Sequence, residues 1–233
     1  MKILSIDTSA IAASVAIAEE DKIIGEFFIN TSLTHSQTLM PMVEQLCKNV
    51  SLSLDNIDAI AVNAGPGSFT GVRIGVAAVK GLAFANNIKC ISVSTLESLA
   101  YNLSGNECIA CAVMDARCSQ VYNALFKISA NGINRICDDR ALSITDLEEE
   151  LKKYNDEITL VGDGADITFD MLDGRLSNVC VAPINNKMQR ASSVAMAAFE
   201  KADRGEYISA EELMPVYLRL PQAQRELNKR MGV

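Results

Sequence analysis

The chain has 233 residues, 49% hydrophobic and 21% charged, with a formal net charge of −8 and a single histidine. Its length allows one large core or two modest ones, and its acidity argues against binding nucleic acid alone through an extended basic face. One histidine excludes a multi-histidine metal site. No apolar run is long enough to span a bilayer, and seven cysteines without paired spacing fit a reducing, cytoplasmic setting.

Residues 2–7 form a continuous apolar run ending in Asp7-Thr8-Ser9, which predicts a buried strand and a polar turn. The start is too short in apolar residues for a signal peptide and meets an acid at once. Segments 14–18 and 23–29 follow across a charged turn, so an antiparallel meander is expected. From 34 to 50, Leu39, Met42, Val43, Leu46 and Val50 recur at helical spacing, with Pro41 forcing an irregular start or a kink. A fourth strand at 57–62 leads into Gly65-Pro66-Gly67 and a helix over 68–86, for which Ser68 and Thr70 are candidate N-caps. Residues 89–93 make a fifth strand. Strand, strand, strand, helix, strand, helix, strand is the order of the ribonuclease-H-like half-domain of actin, sugar kinases and Hsp70.

A second half begins at Cys108. Strands at 108–114 and 121–128 are expected to pair across 115–120, followed by a helix starting at Ser143 or Thr145, with Asp146 and Glu148 favouring its positive end. A strand at 158–161 ends in Gly162-Asp163-Gly164, and an Ala-rich helix covers 192–203. The expected fold is α/β, an actin-like (ASKHA, ribonuclease-H-like) duplication with a reduced second half. The halves are expected at 1–104 and 105–233, the C-terminal helix packing back on the first.

Four constellations could carry chemistry. Gly71, Gly75 and Gly81 each cost about 1 kcal/mol inside a helix, so a ligand or backbone is expected close to their bare Cα atoms. No Lys-Ser/Thr follows them, which excludes a Walker loop, and the glycines do not match the dinucleotide fingerprint; a helix N-terminus can still hold an anion. Asp7-Thr8-Ser9, Asp115 with Arg117, and Gly162 with Gly164 fall in the order of a split nucleotide site. They serve equally well as turn caps inherited from the fold. His35 lies in Thr-His-Ser, which reads as a capping segment, and no GxSxG elbow accompanies it. Cys108 and Cys111 form a CxxC inside a buried strand, where small core residues are the better reading.

The helix pair is the fourth. Leu39, Met42, Val43 and Leu46 can face the core while Met40 and Cys47 point elsewhere. Small residues stand four apart in Gly67-Gly71-Gly75 and in Ala77-Gly81-Ala85. Helices apolar beyond one face suggest a protein–protein surface. The basic tail residues Arg225, Lys229 and Arg230 read as a solvated helix end.

The runs Ile6-Asp7-Thr8-Ser9, Thr34-His35-Ser36 with Leu39 and Pro41, and Gly65 to Gly75 together resemble the TsaB (YeaZ) family, as do Val93-Ser94-Thr95-Leu96, Met114-Asp115-Ala116-Arg117 and Pro215-Val216-Tyr217-Leu218-Arg219. That family acts in tRNA threonylcarbamoyladenosine biosynthesis and was historically labelled glycoprotease-like. The resemblance implies a platform without catalysis of its own, paired with the catalytic paralogue TsaD through the first two long helices. With the ATPase TsaE it would support threonylcarbamoyl transfer to adenosine 37 of ANN-decoding tRNAs. The interface so implied comprises His35, Leu39, Met40, Met42, Val43, Leu46, Phe69, Gly71, Arg73, Gly75, Ala78 and Leu82. The paralogue's His-x-x-x-His metal pair falls here on Thr95 and Leu99, a poor ligand and no ligand, so no metal is expected. No cofactor of its own is expected either, any ATP or ADP belonging at the heteromeric interface. A homodimer is expected without the partner, tRNA contact only through the complex, and no membrane association. Rival readings are a small actin-like ATPase or kinase using Asp7 and Asp115, and more remotely a metallopeptidase.

Overall fold

The computed structural model describes residues 1–31 and 33–219; Arg225, Lys229 and Arg230 lie outside the described residues. Two sheets carry the fold. In the first, β1 (Lys2–Asp7), β2 (Ala13–Glu19) and β3 (Lys22–Ile29) form the antiparallel meander. β4 (Ala59–Gly65) and β5 (Lys89–Ser94) extend it in parallel, giving the order β3-β2-β1-β4-β5. β1 and β4 are covered on both faces, which is why they read as unbroken apolar runs. Leu4, Ile6, Ile60 and Val62 face α1 (His35–Asn49) and α2 (Phe69–Asn86), while Ile3, Ala59 and Ala61 face the opposite side.

The second sheet repeats the first. β6 (Cys108–Asp115), β7 (Gln120–Ser129) and β8 (Gly132–Arg135) form an antiparallel meander, and β10 (Ile158–Val161) and β11 (Val179–Val181) continue in parallel. The order β11-β10-β6-β7-β8 is that of the first sheet, with β9 (Arg140–Ser143) added on β7. This repeated order is the duplicated actin-like architecture. The second copy is reduced: α4 (Ile144–Leu151) and α5 (Ala165–Leu172) have 8 residues each, against 15 and 18 for α1 and α2.

Three further α-helices, α3 (Thr95–Tyr101), α6 (Ile184–Lys187) and α7 (Ala191–Asp203), and one 3-10 turn at Leu54–Asn56 complete the described chain. α7 crosses back to the first sheet, where Val194, Ala195, Ala198 and Phe199 cover Ile3, Ala61, Ile91 and Val93. Its small residues permit that close seat. Among the described residues no helix is long and apolar enough to cross a membrane.

The local signals resolve one by one. Ser68 caps α2, its Oγ accepting the Gly71 N–H, while Thr70 lies inside the first turn. Ser143 likewise caps α4 through the Asp146 N–H. The Thr-His-Ser segment is not a side-chain cap: Thr34 is the N-cap of α1, but its hydroxyl accepts no capping hydrogen bond from the first turn. Cys108 and Cys111 stand three apart on a strand and therefore on opposite faces. Cys108 packs beside Leu99 and Phe126, and Cys111 beside Leu125 and Leu147.

Candidate functional site

Two features are built at the first-half helices: a cleft between the halves and an outer face on α1 and α2.

The cleft has a volume of about 470 Å³. Its walls are the turn after β1 (Ser9–Ile11), the loop into α2 (Pro66–Thr70), the turn after β6 (Met114–Arg117), Asp163 and the segment Val216–Arg219. Apart from Val216–Arg219, each wall is a strand end turning into the next element, so the duplicated sheets aim both sets of turns at one gap.

Asp7 does not reach this gap. Its side chain is fully buried, with Oδ1 accepting from the Ser9 N–H and Oγ–H at 2.7 Å each and Oδ2 accepting from Asn63 Nδ2. Burial pushes its pKa above the ordinary carboxylate value against the pull of those donors. Thr8 is buried as well, its Oγ1–H donating to the Gly71 carbonyl at 2.7 Å. Of Asp7, Thr8 and Ser9, only Ser9 lines the cleft, and its carbonyl accepts the Ser68 N–H at 2.7 Å.

On the second-half wall, Asp115 accepts the Arg117 N–H at 2.7 Å and faces the Arg117 guanidinium at 3.1 Å. Gly162 and Gly164 correct the sequence reading. Both are buried, and a Cβ would overlap the Val113 carbonyl oxygen at Gly162 or approach the Asp115 nitrogen to 2.9 Å at Gly164. These glycines let the turn after β10 sit on β6 and do not line the cleft. Asp163 between them does line it, held by Gln189 Nε2 at 3.0 Å. Burial raises its pKa to about 6, reinforced by the nearby negative charges of Asp115 and Asp7. The acid with a raised pKa that lines the gap is thus the half-buried Asp163, which sequence spacing presents only as the middle of a glycine pair.

The helix pair also needs correction. Leu39, Met42, Val43 and Leu46 are at most 4% exposed and belong to the first-half core; Leu39, Met42 and Leu46 do not reach the surface, while Val43 forms part of the floor of the groove between the helices. His35 is pinned inward, its Nε2–H donating to the Ala10 carbonyl at 2.8 Å. A carbonyl only accepts, so Nε2 carries the proton. The Gly67-Gly71-Gly75 stripe faces the chain itself. A Cβ at Gly71 would overlap the Thr8 carbonyl oxygen, one at Gly75 would meet Thr8 Oγ1 at 2.5 Å, and one at Gly67 would overlap the Ser9 carbonyl oxygen. The backbone that approaches these glycines is the turn after β1, not a foreign helix.

What remains outward is the second stripe. Ala77, Gly81 and Ala85 are exposed, nothing lies within 4 Å of a Cβ built at Gly81, and Phe84 beside them is 75% exposed. Met40, Ala78 and Leu82 keep partial or full exposure, with Cys47, Leu52 and Leu54 lining an apolar groove of about 470 Å³ between the helices. Sequence reasoning missed Phe84, Leu52 and Leu54. The signal for Phe84 was its place three residues after Gly81 on the same outward stripe. Phe69 lines the cleft, and the exposed Arg73 stacks on it with its guanidinium 3.7 Å from the ring centroid.

Thr95 and Leu99 are both fully buried at α3. One hydroxyl and one hydrocarbon do not form a metal-binding pair, and among the described residues no cluster of three His, Cys, Asp or Glu could hold an ion.

A family model described as TsaD, tRNA N6-adenosine threonylcarbamoyltransferase, matches residues 23–225. The tRNA threonylcarbamoyladenosine biosynthesis protein TsaB of Bacillus subtilis is 32% identical over 96% of this chain and 96% of its own length. The TsaB of Escherichia coli is 31% identical over 97% and 98%. A solved YeaZ structure from Pseudomonas aeruginosa superposes with a TM-score of 0.76 at 28% identity, covering 93% of this chain and 99% of that one. Full-length likeness to both TsaB proteins, on the same duplicated fold as YeaZ, places this chain in the TsaB (YeaZ) family.

Proposed function

We propose that the chain is a subunit of the tRNA threonylcarbamoyladenosine machinery, acting as a platform whose outer α1–α2 face binds a TsaD-type paralogue. The observation that carries this reading is the groove lined by Met40, Cys47 and Leu82 beside the open Ala77-Gly81-Ala85 stripe and exposed Phe84. Small residues four apart let a second helix approach closely, and a half-exposed apolar groove gains from being covered. The face moves relative to the sequence reading: Met40, Ala78 and Leu82 stay in it, and Gly81 and Phe84 replace Gly71 and Gly75.

Catalysis belongs to the paralogue in this reading, with TsaE and tRNA joining through the complex and any ATP or ADP held between subunits. Without the partner the same face pairs with a second copy, because an isologous contact needs only one self-complementary patch. The complete burial of the Asp7 carboxylate, held by Ser9 and Asn63 away from the cleft, stands against a kinase that would use it on a metal or a hydroxyl.

The test uses Gly81→Arg and Phe84→Asp, whose side chains enter open space. Neither variant is expected to lower the thermal midpoint, and both should lose co-purification with the cognate TsaD and fail to restore the modified nucleoside in depleted cells. Full complex formation by both would overturn the reading. Micromolar binding of ATP and magnesium by the isolated chain, abolished in Asp7→Ala, would favour the kinase instead.

A further inference from the structure

After α7 the chain runs back along α2 and then over the cleft. Ile208 exchanges both backbone hydrogen bonds with Cys90 at 2.9 Å each, adding a bridge to the edge of the first sheet. Lys80 Nζ donates to the carbonyls of Glu211 and Leu213 at 3.1 Å each, and Leu213 is fully buried in the first-half core. That end is an anchor.

The following residues bind more lightly and on both sides of the gap. The Val216 N–H donates to the Ala64 carbonyl at 2.7 Å, and Gly65, at φ +126°, leaves room for the Val216 carbonyl where a Cβ would overlap it. The Tyr217 ring stacks on Phe69 with centroids 4.8 Å apart, and Arg73 Nε–H donates to its hydroxyl at 2.7 Å. These contacts all belong to the first half. Two residues later Arg219 Nη1–H donates to the Ala116 carbonyl at 2.8 Å, in the turn after β6 of the second half. Val216 and Tyr217 nevertheless remain 48% and 40% exposed.

We propose that residues 214–219 are a latch: they tie the Phe69–Arg73 turn of α2 to the Asp115–Ser119 turn and so fix the angle between the halves and the shape of the cleft. The segment forms one wall of the cleft, so anything that enters the gap meets it. Its first-half contacts are made to the backbone at the end of β4 and to side chains at the start of α2, the cleft-facing end of that helix. The sheets are also joined covalently by α3, between β5 and β6, and by the segment from β11 through α6 into α7, which packs on the first sheet. None of these is among the residues that wall the cleft, so a tie across the mouth restrains an opening at the cleft that they leave free. Leu213 stays seated while the lighter, half-exposed end lets go, because the two ends differ in burial.

Hydrogen exchange on the full chain tests this, since local opening reports on the free energy of each segment separately. Tyr217→Ala removes contacts to Phe69 and Arg73 only. A latch predicts that exchange nevertheless quickens about tenfold in the second-half turn 115–119, with β1 and the peptide holding Leu213 unchanged. Arg219→Ala should produce the reciprocal loosening at 64–69, and Arg219→Lys, which keeps a donor, should restore most of the protection. Loosening confined to residues 214–219 in both variants overturns the proposal, because the segment would then lie on the surface without tying anything. Should Tyr217→Ala quicken exchange throughout, β1 included, Tyr217→Phe takes its place: it removes only the hydroxyl bonded to Arg73. An unchanged 115–119 turn in that variant, with 214–219 loosened, would equally refute the latch.

Discussion

At the scale of single residues, glycines in one helix do opposite jobs, and substitution separates them. Gly71→Ala drives a methyl into the Thr8 carbonyl oxygen, a backbone atom that cannot swing away. A loss of about 1–3 kcal/mol is expected, as for overpacked cores. Gly81→Ala meets open space and should gain about 1 kcal/mol from helix propensity alone. Urea denaturation of the two variants reads the contrast directly, and equal effects would refute the assignment of faces. Asp163 offers a pH signature. Its folded pKa of about 6 lies above the ordinary value of 3.8, so the native state holds the proton more tightly than the unfolded chain. Stability from this group is therefore full below pH 4 and falls as pH rises through 6, by at most about 3 kcal/mol at 1.4 per unit. Asp163→Asn should flatten that decline and raise the urea midpoint at pH 7.5 relative to the parent. A parent whose stability climbs between pH 4 and 6 in a way Asp163→Asn abolishes would contradict the sign.

Elements show how far the sequence could be read. The first-half strands and both long helices were legible to within a few residues, because β1 and β4 are predominantly apolar and α1 carries one strong core stripe. α3, α5, α6, β8, β9 and β11 were not, being at most 8 residues long, too short for periodicity to rise above the background. Spacing also could not tell which of two small-residue stripes on α2 faces inward. That choice is made by Thr8, 63 residues upstream of Gly71, and no local pattern reports a neighbour that distant. The same limit explains the cleft: the Asp7 and Asp115 turns were placed correctly in the chain, but only the fold buries one and leaves the other at the gap. The Ser68 cap, by contrast, is local and was readable. Ser68→Ala should cost about 1 kcal/mol, seen as a lowered melting temperature in calorimetry. Thr70→Ala, inside the first turn, should cost less.

For the molecule as a whole, the decisive feature is that the last described helix belongs to the first sheet. One face of β1, β4 and β5 is covered by α7, with Ile3, Ile91 and Val93 completely or almost completely shielded there. Arg190 reinforces the seat through Glu26 of β3 at 2.6 Å, and Glu26 also accepts the Ser192 N–H at 3.0 Å. A fragment of residues 1–104 lacks that cover. It should therefore be insoluble or bind a hydrophobic dye, whereas adding residues 190–204 as a separate peptide should restore cooperative unfolding. A soluble, cooperatively melting fragment 1–104 would show that the halves fold apart.

The return of α7 to β1 also sets an order of events during synthesis. The strands of the first sheet are all made by Ser94, but the helix that covers their back is complete only at Asp203. At about 5–20 residues per second the ribosome takes roughly 5–20 s to bridge that interval. Throughout it the nascent chain carries Ile3, Ile91 and Val93 uncovered, so the interval is when a holding chaperone would have the most to bind.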